Sequence, residues 1–81
     1  MILEVRLFDG LVCNNPDLGC VGEHQFEVEV PDNVTLEQLH DILHLRSPYE
    51  LINMVNGIAQ EKSRVLKDKD RVGIFPPSGG G

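Results

Sequence analysis

The sequence predicts an α+β fold, a mixed sheet of four to five strands packed on one main helix, and three observations predict it. Short segments near both ends and after residue 24 alternate apolar and polar residues. One segment has helical periodicity behind a full set of N-terminal cap residues. An Asn-Gly pair joins two short apolar runs. The chain has 81 residues, enough for one domain. One helix laid across one face of a sheet is the economical way for such a chain to bury both apolar surfaces.

The elements follow in order. Residues 2–8 read as a strand with Leu3, Val5 and Leu7 on one face and Ile2, Glu4, Arg6 and Phe8 on the other. Asp9-Gly10 breaks the pattern and opens an aperiodic loop over residues 9–24, longer than most connections in compact domains. Residues 25–30 alternate again, with Phe26, Val28 and Val30 predicted inside and Glu27 and Glu29 in water. Thr35 stands three residues before Gln38, the capping-box spacing, and Val34 and Leu39 hold the positions of a hydrophobic staple. Glu37 suits the positive end of the helix dipole. Leu36, Leu39, Ile42 and Leu43 form the apolar stripe, and Ser47-Pro48 is the predicted stop, because a residue before proline avoids helical geometry.

Residues 51–55 form a third strand, Asn56-Gly57 a tight turn, and Ile58-Ala59 a short return strand. Val65-Leu66 is an apolar pair with no assigned conformation, and Lys67-Asp68-Lys69-Asp70 is a charged turn leading into the last strand, residues 71–75. Strand, strand, helix and further strands in so short a chain describe a β-grasp. Residues 1–75 are the predicted β-grasp domain and residues 76–81 an extended tail.

Composition removes several function classes. The formal net charge is −6, from 13 acidic and 7 basic residues, which argues against nucleic acid, since phosphate binding needs clustered Lys and Arg. No stretch is long and apolar enough for a membrane span, and Glu4 falls where a signal peptide needs its apolar run. The expected location is cytoplasmic, where Cys13 and Cys20 are expected as free thiols, with a loop disulfide, a metal pair or a sulfur relay as the alternatives.

The tail carries the strongest functional signal. Pro76 and Pro77 have no N–H to give a sheet and favour an extended exit, and Gly79, Gly80 and Gly81 offer no side chain to anchor or shield. Such a strip contributes nothing to stability. It is narrow enough to thread a tunnel in another protein, with Gly79 and Gly80 as the approach and the Gly81 carboxylate presented bare.

Phe75-Pro76-Pro77-Ser78-Gly79-Gly80-Gly81 resembles the C-terminus of the small subunit of molybdopterin synthase, which typically reads Phe-Pro-Pro, two variable residues, then Gly-Gly. Val55-Asn56-Gly57 and the run from Leu66 to Val72 resemble that family and its thiamine-pathway relatives, the ubiquitin-like sulfur carriers. The chain departs from the pattern at Lys69, where the family usually has glycine, and in the composition of the segment after the first strand. The resemblance implies a cycle in which Gly81 is adenylated, converted to a thiocarboxylate, and discharged into molybdopterin for a molybdenum or tungsten cofactor. It implies three partners: a ubiquitin-activating-like adenylyltransferase that consumes ATP, a sulfur donor protein, and the large subunit of molybdopterin synthase. Thiamine or another thiolation pathway, and isopeptide formation as a ubiquitin-like modifier, use the same carboxylate and remain open.

On this reading the chain is a carrier subunit with no stand-alone active site, no metal and no cofactor of its own. Phe8 and Phe75 are expected as an exposed aromatic patch at the base of the tail, and with Pro76 and Pro77 they form the expected partner-binding surface, unless the 9–24 loop covers them. His40 and His44 have a spacing that suits one metal, but no third ligand accompanies them, so a solvated helix flank is expected. Asp68 and Asp70 alternate with Lys67, Lys69 and Arg71 as a charge-balanced turn.

Overall fold

A computed structural model describes residues 1–45, 47 and 50–77. The expected helix stop at Pro48 and the tail residues Ser78, Gly79, Gly80 and Gly81 lie outside the described residues. The elements are β1 (Ile2–Leu7), β2 (Gln25–Glu29), α1 (Leu36–Ile42), β3 (Ile52–Val55), β4 (Ile58–Gln60) and β5 (Arg71–Phe75). They form one five-stranded mixed sheet in the order β2-β1-β5-β3-β4. β1 and β5 run parallel at its centre, and the remaining pairs are antiparallel.

Period-two alternation sets the two faces. Leu3, Val5, Leu7, Val28, Val55, Val72 and Ile74 are buried beneath the helix, where they meet Leu36, Leu39 and Leu43. Phe26, predicted inside, shares that face as the Cα partner of Val5 but is only partly buried, because β2 is an edge strand. Leu66 of the unassigned pair is buried, whereas Val65 bridges to Thr35 and stays exposed.

The capping box forms as its spacing predicts. Gln38 N–H donates to Thr35 Oγ1 at 3.2 Å, and Thr35 N–H donates to Gln38 Oε1 at 2.9 Å. The helix is shorter than expected, ending at Ile42 and not at Ser47-Pro48. His44 takes a left-handed conformation (φ 53°), its N–H donating to Asp41 O at 3.1 Å while Leu45 N–H donates to His40 O at 3.2 Å. That pair is a Schellman cap, with histidine in the place glycine usually takes.

The loop over residues 9–24 accounts for the early stop. Asn14 N–H donates to Leu43 O at 2.9 Å, Asn14 Nδ2 to His44 O at 3.2 Å, and Asn15 Nδ2 to Ile42 O at 2.6 Å. The carbonyls of Ile42, Leu43 and His44, at and just past the helix end, are thereby all satisfied by one loop. Inside this loop the free-thiol expectation fails. The chain doubles back through Gly22 N–H to Cys13 O and Cys13 N–H to Glu23 O, which brings the Cα atoms of Cys13 and Cys20 to 5.8 Å. That separation suits a disulfide, and Cys13 and Cys20 are joined by one, both sulfurs buried.

The opposite end of the sheet is held by the 67–70 turn. Asp70 accepts from Lys67 N–H at 2.8 Å and Asn56 Nδ2 at 3.0 Å, and Asp68 accepts from Ile2 N–H at 2.7 Å. These carboxylates are structural acceptors. No helix among the described residues is long and apolar enough to cross a membrane.

Candidate functional site

The face of the sheet turned away from α1 assembles the residues that sequence placed there. β1 and β5 pair with Arg6 opposite Gly73 and Glu4 opposite Arg71, and the ladder runs one residue further through Phe8 N–H to Ile74 O at 3.0 Å. Phe8 therefore lies beside Phe75. Their ring centroids are 5.7 Å apart with planes at 90°, an edge-to-face contact. The loop over 9–24 spends itself on the helix end and leaves Phe8 36% exposed.

Three neighbours complete the patch, and the sequence reading did not single them out. Gly73 has no Cβ, and a Cβ there would lie 3.5 Å from Phe8 Cε2, so the Phe8 ring rests directly over the strand backbone. Ile52, the Cα partner of Phe75, is 40% exposed on the same face, and Met54, the partner of Gly73, is partly buried beside it. Their signal was available, because Ile52 and Met54 share the outward parity once Val55 is assigned to the core.

The electrostatics of this face are uneven. The Arg6 guanidinium sits 5.0 Å from the Phe8 ring centroid, a cation–π contact. The ion pairs among the described residues are Met1 with Asp32 and Lys62 with Glu50, so Arg6 and Arg71 have no carboxylate within ion-pair distance. Glu4, Glu27 and Glu29 stand exposed toward the β2 edge, with Glu4 level with Glu27. The face thus divides into an acidic margin along β2 and an apolar, arginine-flanked area over β5 and β3.

Phe75 leads directly into Pro76 and Pro77, both partly buried, so the aromatic pair and the start of the proline run are one continuous surface. Gly79, Gly80 and Gly81 follow outside the described residues. The other candidates are elsewhere. His40 Nε2 lies 2.6 Å from Asn53 Oδ1 under β3, and His44 serves the helix cap. No group of three or more potential metal ligands is present among the described residues.

The chain matches the family described as ThiS family over residues 14–81. A comparison with curated protein sequences gives no match. Among solved structures, the fold is similar to the crystal structure of SAMP1 from Haloferax volcanii, with a TM-score of 0.68, 19% identity, and all of both chains covered. It is also similar to a structure of small archaeal modifier protein 1 from the same organism, with a TM-score of 0.65, 18% identity, and 94% of this chain and 97% of that one covered. The likeness establishes the architecture as the ubiquitin-like β-grasp expected from the order of elements.

Proposed function

Because this chain belongs to the ThiS family of ubiquitin-like sulfur carriers, we propose that it carries sulfur as a thiocarboxylate on Gly81 and delivers it to molybdopterin as the small subunit of the synthase. The observation that carries this reading is the junction at Phe75, where the Phe8–Phe75 pair leads directly into Pro76-Pro77, after which the sequence reads Ser78-Gly79-Gly80-Gly81. A docking surface at the base of a side-chain-free strip is what a carrier needs, since the partner can hold the body while the strip reaches its active site.

In this cycle a ubiquitin-activating-like adenylyltransferase binds the Phe8–Phe75 patch. The Gly81 carboxylate attacks the α-phosphate of ATP and pyrophosphate leaves. A persulfide on the donor protein attacks the acyl-adenylate and AMP leaves. A second thiol of the donor cleaves the resulting acyl disulfide, which frees the Gly81 thiocarboxylate and leaves the donor as a disulfide. The charged tail enters the large subunit of the synthase, where the sulfur is transferred. The catalytic bases and the nucleotide belong to the partners, and this chain supplies the acyl group and the docking face. The Phe-Pro-Pro run favours the molybdopterin pathway over the thiamine one.

A second reading has a specific observation behind it, because the fold is similar to that of a small archaeal modifier protein. The same activated Gly81 would then form an isopeptide with lysines of target proteins. Intact-protein mass spectrometry after incubation with ATP, an adenylyltransferase and a sulfur source separates the two. The carrier reading expects a mass gain equal to exchange of one oxygen for one sulfur, located on Gly81 by fragmentation. A protein that gains no sulfur but accumulates in lysine-linked adducts overturns it.

A further inference from the structure

The outer face of the sheet is complementary to itself. The strand registers put Glu27, Glu4 and Arg71 at one level, and Phe8, Phe75 and Ile52 lie at another level further along β1. A two-fold axis parallel to the strands, between β1 and β5, keeps every residue at its level and exchanges the β2 side for the β3 side. Phe8 of one copy then meets Phe75 and Ile52 of the other, and Glu4 and Glu27 meet Arg71. Each contact occurs twice, as an isologous interface requires. An axis perpendicular to the strands, midway between the two levels, would instead set the aromatic level of one copy against the carboxylate level of the other, burying charge on rings.

We propose that two copies of this chain associate through these faces, and that the pair is a resting form in which the base of the tail is covered. The occupant is a second copy because the features of the face answer one another. Among the described residues Arg71 has no carboxylate and Glu4 and Glu27 no cation within ion-pair distance, and the exposed apolar side chains Phe8 and Ile52 lie at their own level further along the strands.

The size of the face fixes the strength. Strands about 4.8 Å apart give five strands a width of roughly 20 Å. Such a face buries a few hundred Å² per copy, below the roughly 800 Å² per partner of a stable complex. The formal charge of −6 on each copy opposes association, although salt screens it beyond about 8 Å. The pair is therefore weak and reversible, with a Kd on the order of 0.1 mM. Covering Phe8 and Phe75 makes self-association and partner docking mutually exclusive. That consequence rests on the proposed carrier cycle, whereas the dimer does not.

Sedimentation equilibrium of the full chain from about 10 µM to 1 mM tests this. The expected result is a reversible monomer–dimer equilibrium. Arg71→Glu should abolish it, as should the double variant Glu4→Arg with Glu27→Arg, and an equimolar mixture of the two variants should dimerise again. Circular dichroism of each variant checks that the fold is retained. A monomer across the whole range, a dimer indifferent to Arg71→Glu, or a mixture that stays monomeric overturns the proposal. None of these outcomes touches the carrier reading, which stands or falls on sulfur at Gly81.

Discussion

The two faces of this sheet are made by the same strands and have opposite economies. Toward α1, Leu3, Val5, Val72 and Ile74 are nearly inaccessible, and the buried polar side chains Asn53 and Asp70 both have hydrogen-bond partners. Toward solvent, Phe8 and Ile52 stay exposed, Arg6 lies over the Phe8 ring, and among the described residues neither Arg6 nor Arg71 has an acidic partner. The difference teaches where selection for folding ends and where selection for contact begins. A small domain must close one face completely to be stable at all, and every unsatisfied feature is then pushed to the other. Substitutions should therefore separate cleanly, costing stability on one side and affinity on the other.

The largest effect is expected on the closed face. Leu39 is fully buried and also packs at the helix start, so Leu39→Ala should cost about 2–5 kcal/mol, a large share of the stability of a domain this size. Urea denaturation measures it. A loss under about 1 kcal/mol would mean that the helix–sheet interface relaxes around the missing atoms and the two faces are less distinct than their burial.

Next comes the loop that serves the helix end. Cys13 and Cys20 close a loop with a sequence separation of 7, for which chain entropy gives about 2.5 kcal/mol. Removing the bond by Cys13→Ser with Cys20→Ser should lower Tm by roughly 10–20 °C. Scanning calorimetry should give the same Tm for the double variant and for wild type in excess dithiothreitol. If reductant leaves the wild-type Tm unchanged, the loop is held by Asn14 and Asn15 on the helix carbonyls and the disulfide adds nothing.

This loop was also the least legible part of the sequence. Alternation placed β1, β2 and β5 to within a residue, because one side of each strand must be apolar. The cap at Thr35 was legible because its donors and acceptors are three residues apart. The helix end was misjudged for a physical reason, since its signal lies about thirty residues away in Asn14 and Asn15, whose side chains serve carbonyls of Ile42 and His44. The disulfide stood only as an alternative for a like reason: composition set the thiol expectation, whereas the backbone path of the loop decides whether two cysteines meet. Of the candidate site, the pairing of Phe8 with Phe75 followed from strand parity and the parallel β1–β5 arrangement. Gly73 and Arg6 did not, because what they contribute is contact with the Phe8 ring.

On the open face, Phe75→Ala should keep the fold and cost about 1 kcal/mol of stability through the lost ring contact with Phe8. It should weaken binding to the activating enzyme or the large subunit by about 2 kcal/mol, roughly 30-fold, as loss of a central aromatic anchor does. Pull-down followed by titration calorimetry checks both partners. Undiminished affinity in both would show that the patch is not the docking surface.

The smallest effect belongs to a residue that serves neither face. Lys69 holds a left-handed backbone (φ 67°) in the turn that delivers the chain into β5, a conformation that favours glycine. The turn is fixed by backbone bonds, Lys69 N–H to Ile2 O at 2.7 Å and Asp70 N–H to Lys67 O at 3.1 Å, and these survive loss of the side chain. A side chain in this region costs about 1–2 kcal/mol, while glycine returns part of that through the greater freedom of the unfolded chain. Lys69→Gly should therefore stabilise by roughly 0.5–1 kcal/mol in urea denaturation, with partner affinity and dimerisation unchanged. If stability falls instead, the lysine is retained for its charge: a body with a formal charge of −6 loses one of its seven basic groups in this exchange, and the strained turn would be the cost of keeping it.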